Sequence, residues 1–534
     1  MRIRRYAVPA RMIEECTAAR ERGDWRAACA AGEIDVAFDA DSAAPVADLL
    51  AGFAPDLLRW HLPRVLGGFT TLATTTTYAL APDRRLDPDD HVLLVHPPRG
   101  VLGSQRLTLG VARAADLDDS GTAWPAPWLW DARRAADLRT AVGGDADRVP
   151  GFTPAGEPLP ASAYGVGDSA PARAERVRRA LGTPTAWRAA GLLAPDLADG
   201  PVTTIDPLVL AAEARRLTAQ SGTTTWLVWL TWSDVLRVEV RDRLVRVSRL
   251  GGDWSARQRV RNDPRIQPGL LHAPIDLELV RQGRLTPAAL HPLVRAALFP
   301  SWPPLASSPA PAPAPASSSS PASALSAESE PEPIRVRCRG EWHVIENGHG
   351  RLRLTAHTAD EQQRERAMRA FGGAVTGCFA AEQAWTGATG RLPKRLRAAR
   401  EDLWLRMIHG GTRVVEELLD AGMDPHIRDG RGRSLLHMVR SFDHARLLPR
   451  LLELGLDVNA ADREGNTPLY HAIVYVWPPE LIRALVDAGG DPHRPNQDDL
   501  SVLDYITDRL EWYEEGGDRT PAFLEAVAYV KERA

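Results

Sequence analysis

The chain has 534 residues, 44% of them hydrophobic, with 65 Lys and Arg against 69 Asp and Glu. That apolar fraction suffices for folded cores and excludes wholesale disorder, and the near-balanced charge excludes a protein that coats polyanions. The four cysteines, Cys16, Cys29, Cys338 and Cys378, are too scattered for a disulfide framework and form no CxxC pair, which argues against a zinc ribbon. Only Lys394 and Lys531 are lysines. The Arg, Ala, Gly and Pro bias is that of a GC-rich bacterial genome of actinobacterial type.

Residues 11–31 have a helical pattern broken near Gly23, and residues 47–66 a second one interrupted at Pro55 and Pro63. Short strands are expected at His91–Val95 and Leu107–Val111, and helices over Trp128–Val142 and Asp206–Gln220. The run Trp226–Trp232 (WLVWLTW) is apolar on both faces, as a central strand would be. It is far too short to span a bilayer, which needs about 20 residues. Leu236, Val238 and Val240 alternate with charged residues, and Val245 and Val247 follow an Arg-Asp-Arg turn, which predicts a hairpin. Short helices at Ile275–Arg281 and Pro292–Leu298 complete an α+β domain over residues 1–299.

Residues 300–333 are almost entirely Ala, Pro, Ser and Glu. Such a segment can bury too little to offset its ordering entropy and reads as a disordered tether with extended Ala-Pro spacing. Residues 334–402 form a small bridge. RVRCR at Arg335–Arg339 and RLRLT at Arg351–Thr355 alternate as strands around an expected turn at Glu346–Gly350. Thr358 to Glu361 fits a capping box that opens a helix ending at Gly372-Gly373, and a second helix is expected over Ala374–Trp385.

Three segments in residues 403–534 then align. Gly422, Gly455 and Gly489 recur at spacings of 33 and 34, as do Gly432, Gly465 and Asp499. That period marks stacked helical repeats. Thr467 caps a helix whose first position is Pro468; Ser434 to His437 occupy the same box one repeat earlier, and Ser501 to Asp504 one repeat later. Leu418 and Leu419, Leu451 and Leu452, and Leu485 and Val486 form the apolar stripe of each second helix. The pattern resembles the ankyrin repeat. The resemblance implies an all-α solenoid, closed by a capping helix at Pro521–Arg533, whose concave face and turn tips bind a protein partner. On that basis Ser434, His437, Thr467, Pro468, Gly422, Gly455 and Gly489 are structural. The expected contacts are Arg428, Asp429, Arg431 and Arg433 at the first tip, Asp462, Arg463, Glu464 and Asn466 at the second, and Arg494, Asn496, Gln497 and Asp498 at the third.

Residues 335–406 hold 14 basic and 8 acidic groups, and residues 407–534 hold 14 basic and 23 acidic. The total charge of -4 therefore sums a basic bridge and an acidic repeat region. The arginine rows of the bridge read as solvated faces rather than a nucleic-acid site. The repeat histidines, including His409, His426, His437, His471 and His493, read as periodic rather than metal-binding, and Cys378 as a buried thiol. No Walker A loop, HExxH, GxSxG or dinucleotide fingerprint is present. The expectation is a cytoplasmic, non-catalytic interaction protein with no cofactor or metal, no membrane contact and a protein partner. The alternative is a divergent enzyme or effector in residues 1–299, targeted by the repeats.

Overall fold

The computed structural model describes residues 2–64, 71–74, 76–98, 103–118, 121–194, 205–231, 233–242, 244–250, 254–260, 262–302, 334–372, 375–387, 390–510 and 521–534. The chain forms two compact units, one from Val8–Val101 and Arg106–Pro313, the other from Met1–Ala7, Leu102–Gln105 and Ala314–Ala534. Residues 303–333 of the expected tether, Trp232 and the loop at 514–520 lie outside the described residues. No helix among the described residues is long and apolar enough to cross a membrane.

The first unit is mixed α/β. One sheet contains β1 (Ile34–Val36), β2 (Thr77–Leu80), β3 (His91–His96), β4 (Leu107–Arg113) and β5 (Thr122–Ala123), in the order β1-β4-β3-β2-β5. Its outer pairings, β1 with β4 and β2 with β5, are parallel, and the inner ones antiparallel. Leu93, Val95, Leu107 and Leu109 are fully buried against Phe53, Leu58 and Trp130. The second sheet contains β6 (Leu192–Leu193), β7 (Thr225–Trp229), β8 (Val235–Arg241) and β9 (Leu244–Arg249), in the order β6-β9-β8-β7.

The expected hairpin is β8–β9, with Asp242 in a left-handed conformation. The expected central strand, β7, lies instead at the end of the sheet order. Its burial on both faces has two sources. The helix Pro207–Ser221 packs on it, with Trp226 Nε1 donating to Thr218 Oγ1 at 3.1 Å. Residues 264–266 close its free edge through Leu227 N to Pro264 O and Ile266 N to Leu227 O, at 2.9 and 2.8 Å. The helix expected over 128–142 is divided into 3-10 turns at Pro127–Leu129 and Ala132–Asp137 and a short helix, Leu138–Ala141. Asp131 interrupts it by capping the next turn, its side chain accepting from Arg133 N.

In the second unit β10 (Ile334–Cys338), β11 (Glu341–Gly348) and β12 (Arg351–Arg353) form an antiparallel sheet. Its second turn is tighter than expected. Gly348 pairs with Arg351, so the loop is only His349 and Gly350, both left-handed. Arg339 and Gly340 make an equivalent turn between β10 and β11. The capping box at Thr358 forms, with Glu361 N donating to Thr358 Oγ1 at 3.2 Å and Thr358 N to Glu361 Oε2 at 3.1 Å. It opens the helix Ala359–Ala370; the next helix is Gly377–Thr386.

The boundary expected at 402/403 falls inside one helix, Lys394–Asp420, which is broken only at Gly411. Against this helix lies Arg2–Ala7, with Tyr6 Oη donating to Asp402 Oδ2 at 2.6 Å. The first helix of the chain thus belongs to the C-terminal unit, although the sequence reading assigned it to the N-terminal domain. No local pattern could show a contact between residues 396 positions apart.

The repeat helices follow as Leu435–Ser441 (3-10), His444–Glu453, Pro468–Val474, Pro479–Asp487 and Val502–Tyr505. The final helix, Pro521–Glu532, packs on Pro479–Asp487 through Phe523, Ala526 and Val530, with Tyr529 Oη donating to Asp487 Oδ1 at 2.6 Å. Gly465 shows how tightly successive repeats meet. It has φ +84°, and an added Cβ would lie 2.8 Å from the backbone nitrogen of Gln497 in the next turn. Gly465→Ala is expected to cost about 1–3 kcal/mol, because strain and a backbone clash coincide. A fall in the melting temperature of the C-terminal unit checks this.

Candidate functional site

The three turns that project from the repeats share one construction. A side-chain oxygen at Asp429, Asp462 or Asn496 accepts the backbone N–H groups two and four residues ahead. Asp429 Oδ1 takes Arg431 N and Arg433 N at 2.8 and 2.9 Å. Asp462 Oδ1 takes Glu464 N and Asn466 N at 2.9 and 3.0 Å. Asn496 Oδ1 takes Asp498 N and Leu500 N at 2.9 and 3.1 Å. These Asx side chains supply locally what a strand partner would supply elsewhere. Neighbouring turns are then tied through backbone bonds, Arg463 N to Arg431 O and Gln497 N to Glu464 O, each 2.9 Å.

This construction divides the expected contact residues. Arg431, Arg463, Glu464, Arg494, Gln497 and Asp498 are exposed on the turns. Asp429, Arg433, Asp462 and Asn466 are buried and hold the turns together, so their place among the contacts is corrected. Arg433 doubles the Asp429 contact, with Nε 2.8 Å and Nη2 2.7 Å from Oδ2. Arg428 is half-buried, donating to Gly432 O at 3.2 Å, and Asn496 is half-buried, donating to Asn466 Oδ1 at 3.0 Å. The signal for this division was in the sequence: Asp429, Asp462 and Asn496 share the repeat period, as a scaffold residue does.

His437 is likewise internal. Its Nδ1 accepts Ser434 N at 3.1 Å, so Nε2 carries the proton and donates to Asn466 O of the next repeat at 3.0 Å. Burial pushes its pKa well below the ordinary histidine value, to about 3. The neighbouring pair, His471 Nε2 and Asp462 Oδ2, is 2.9 Å apart. These hydrogen bonds occupy the groups that could otherwise meet a metal at His437, Asp462 and His471.

The unfolded chain binds a proton at this histidine below about pH 6.5, whereas the folded chain does not until about pH 3. Stability should therefore fall as pH falls through that window, by on the order of 1 kcal/mol per pH unit. Melting of the full chain and of His437→Gln between pH 7 and 4 tests it. A C-terminal transition with equal slopes in both would show that His437 is not the cause.

On the bridge sheet, Arg335, Arg337, Arg351 and Arg353 are exposed and share one face with Trp342, which is 66% exposed. The opposite face carries Val336, Cys338, His343 and Ile345 inward. There Cys338, His343, His357 and Cys378 converge, with ligand-type atoms all within 4.8 Å of one another. No cysteine or histidine spacing in the sequence pointed to this grouping.

In the N-terminal unit a cavity of about 270 Å³ is lined by Leu86, Trp124, Leu217, Gln220, Ser221 and Trp226, among others. Much of its polar lining is engaged. Gln220 Nε2 donates to Pro82 O, and Ser221 Oγ donates to Leu217 O while accepting Thr223 N. The pair most like catalytic machinery, Asp56 and His291, is fully buried. His291 Nδ1 accepts Leu293 N, so Nε2 donates to Asp56 Oδ2 at 3.0 Å, while Arg20 donates to Oδ1 at 2.8 Å. With no opening to solvent, the pair ties helices together rather than meeting substrate.

A family model for ankyrin repeats in three copies matches residues 404–496. The chain is 38% identical over 69 residues to an ankyrin repeat-containing protein of Schizosaccharomyces pombe, covering 13% of this chain and 33% of the relative. It is 38% identical over 100 residues to human ankyrin repeat and SOCS box protein 6, covering 17% and 24%. It is 36% identical over 63 residues to mouse NF-kappa-B inhibitor delta, covering 11% and 19%. The chain thus spans a third or less of the length of these curated relatives.

Proposed function

Because residues 404–496 are ankyrin repeats, we propose that this chain is a non-catalytic adaptor that captures a protein partner on the turn side chains its repeats present. The observation that carries this reading is the division of labour at the turns. Buried Asp429, Asp462 and half-buried Asn496 fix the backbone from within, which leaves Arg431, Arg463, Glu464, Arg494 and Gln497 displayed on a rigid scaffold. The excess of acidic groups over residues 407–534 favours a partner with a basic surface, through attraction screened beyond about 10 Å at ordinary salt. The relatives, an ankyrin repeat and SOCS box protein and an NF-kappa-B inhibitor, agree with an adaptor role. The N-terminal unit is the module that the repeats bring to the partner, in the cytoplasm of a bacterial cell.

The test is affinity capture from the native cell with the full chain, the Arg431→Ala/Arg463→Glu variant and a chain ending at Pro300. The full chain should retain a defined partner that the truncated chain loses and the double variant holds at least tenfold more weakly, with unchanged melting. Equal retention by all three would remove the repeats from the binding function.

A further inference from the structure

We propose that Cys338, His343, His357 and Cys378 bind one Zn²⁺ in a closed tetrahedral site that staples the bridge sheet to the helix Gly377–Thr386. The four side chains come from four places. Cys338 ends β10, His343 lies on β11 opposite Val336, His357 follows β12, and Cys378 is the second residue of the helix. Cys338 and Cys378 are 1% exposed and His357 8%.

The donor atoms are spaced as a tetrahedral zinc shell requires. Cys338 Sγ lies 3.7 Å from His357 Nε2, Cys378 Sγ lies 3.7 Å from His343 Nδ1, and the two imidazole nitrogens are 3.0 Å apart. With Zn–S of about 2.3 Å and Zn–N of about 2.0 Å, tetrahedral edges come to about 3.5 Å between S and N and about 3.3 Å between nitrogens. Two sulfurs and two imidazole nitrogens suit Zn²⁺, and two thiolates balance its charge.

The outer atoms of the histidines supply an independent indication. His343 Nε2 faces Glu341 Oε2 at 3.9 Å, and His357 Nδ1 faces Glu361 Oε2 at 3.7 Å. A zinc-bound imidazole characteristically directs its remaining N–H toward a carboxylate. Both carboxylates stand on the side away from the cluster, as orienting groups would. The backbone also accommodates the site. Gly377 has φ +60°, and a Cβ there would come within 2.8 Å of Cys338 Cα. Only glycine therefore lets the helix start close enough for Cys378 to reach Cys338. All four positions are filled by protein, which leaves none for a substrate: the ion supplies folding energy to a small sheet rather than chemistry.

The full chain, stripped of metal and reduced, is titrated with Co²⁺ and then Zn²⁺. The expected result is one Co²⁺ per chain, with a thiolate-to-cobalt charge-transfer band and the visible absorption of tetrahedral cobalt, both erased by one equivalent of Zn²⁺. Cys338→Ser and Cys378→Ser should each lose much of the charge-transfer intensity. Cys16→Ser/Cys29→Ser, in the other unit, should keep it. Glu361→Gln, which retains the helix cap, should bind Zn²⁺ about tenfold more weakly. Absence of the thiolate band in the unsubstituted chain would overturn the proposal even if the cysteine variants fail to fold. So would a band that survives loss of both Cys338 and Cys378, or iron in place of zinc in the purified protein.

Discussion

Glu175→Gln is expected to destabilise the N-terminal unit by about 3–5 kcal/mol, the cost of leaving one member of a buried ion pair uncompensated. The Glu175 side chain has no solvent exposure. Its Oε1 accepts Arg148 Nη1 at 2.5 Å and Gly151 N at 2.7 Å, and its Oε2 accepts Gly165 N at 2.7 Å. Standing on the helix Ala170–Arg179, this one carboxylate fastens the irregular segment before the helix at three points. Glutamine has the same shape but must aim its NH₂ at an N–H donor, so one of those points becomes repulsive.

Burial raises the Glu175 carboxyl, but the bonds from Arg148, Gly151 and Gly165 outweigh it and hold the pKa below the ordinary value. Its stabilisation is therefore complete above the unfolded carboxylate value of about 4.3 and is lost as pH falls through the lower folded value. Urea denaturation of the full chain should show an early N-terminal transition in the variant with an unshifted C-terminal one. A shift of under about 1 kcal/mol would mean the segment is held by other contacts.

Asp429→Ala is expected to cost the C-terminal unit about 3–5 kcal/mol, whereas Arg431→Ala, two residues away, should change stability by no more than about 0.5 kcal/mol. Asp429 neutralises Arg433, whose side chain is 9% exposed, and accepts two backbone N–H groups of its turn. Alanine leaves a buried guanidinium without its carboxylate and opens the turn that meets Arg463. Arg431 projects outward and is not used to close the turn. In the capture experiment both variants should lose the partner, but for reasons that circular dichroism separates. Loss of repeat helicity is expected with Asp429→Ala alone. If both variants kept native helicity and melting, the turn would not depend on its buried ion pair.

Much of the architecture was legible because it rests on local signals. The 33-residue glycine period, the Thr467-Pro468 helix start and the alternation of Val336 and Cys338 with arginines are each enforced by backbone conformation or a single burying face. The decayed third box is a useful case. Ser501 and Asp504 still form a reciprocal cap, with Asp504 N to Ser501 Oγ at 3.1 Å and Ser501 N to Asp504 Oδ2 at 2.9 Å. The cap survives because its chemistry needs an oxygen at each end and not the family's residues. The contact list was legible only in part. A polar residue on a turn reads the same from sequence whether its oxygen faces solvent or the backbone two residues ahead.

The sequence alone determined that residues 403–534 carry a repeated helical unit of ankyrin type, since period, caps and apolar stripes are properties of neighbouring residues. It also determined that opposite charges are segregated between the bridge and the repeats. The tertiary structure decided that the helix Arg2–Ala7 joins the C-terminal unit, that β7 is covered at its edge, and that Asp429 and Asp462 face inward. It also decided that two cysteines 40 residues apart meet two histidines around one point. Each of these depends on where distant segments come to rest. Short-range sterics leave that choice open, and burial of the sheets and closure of the polar groups they enclose settle it.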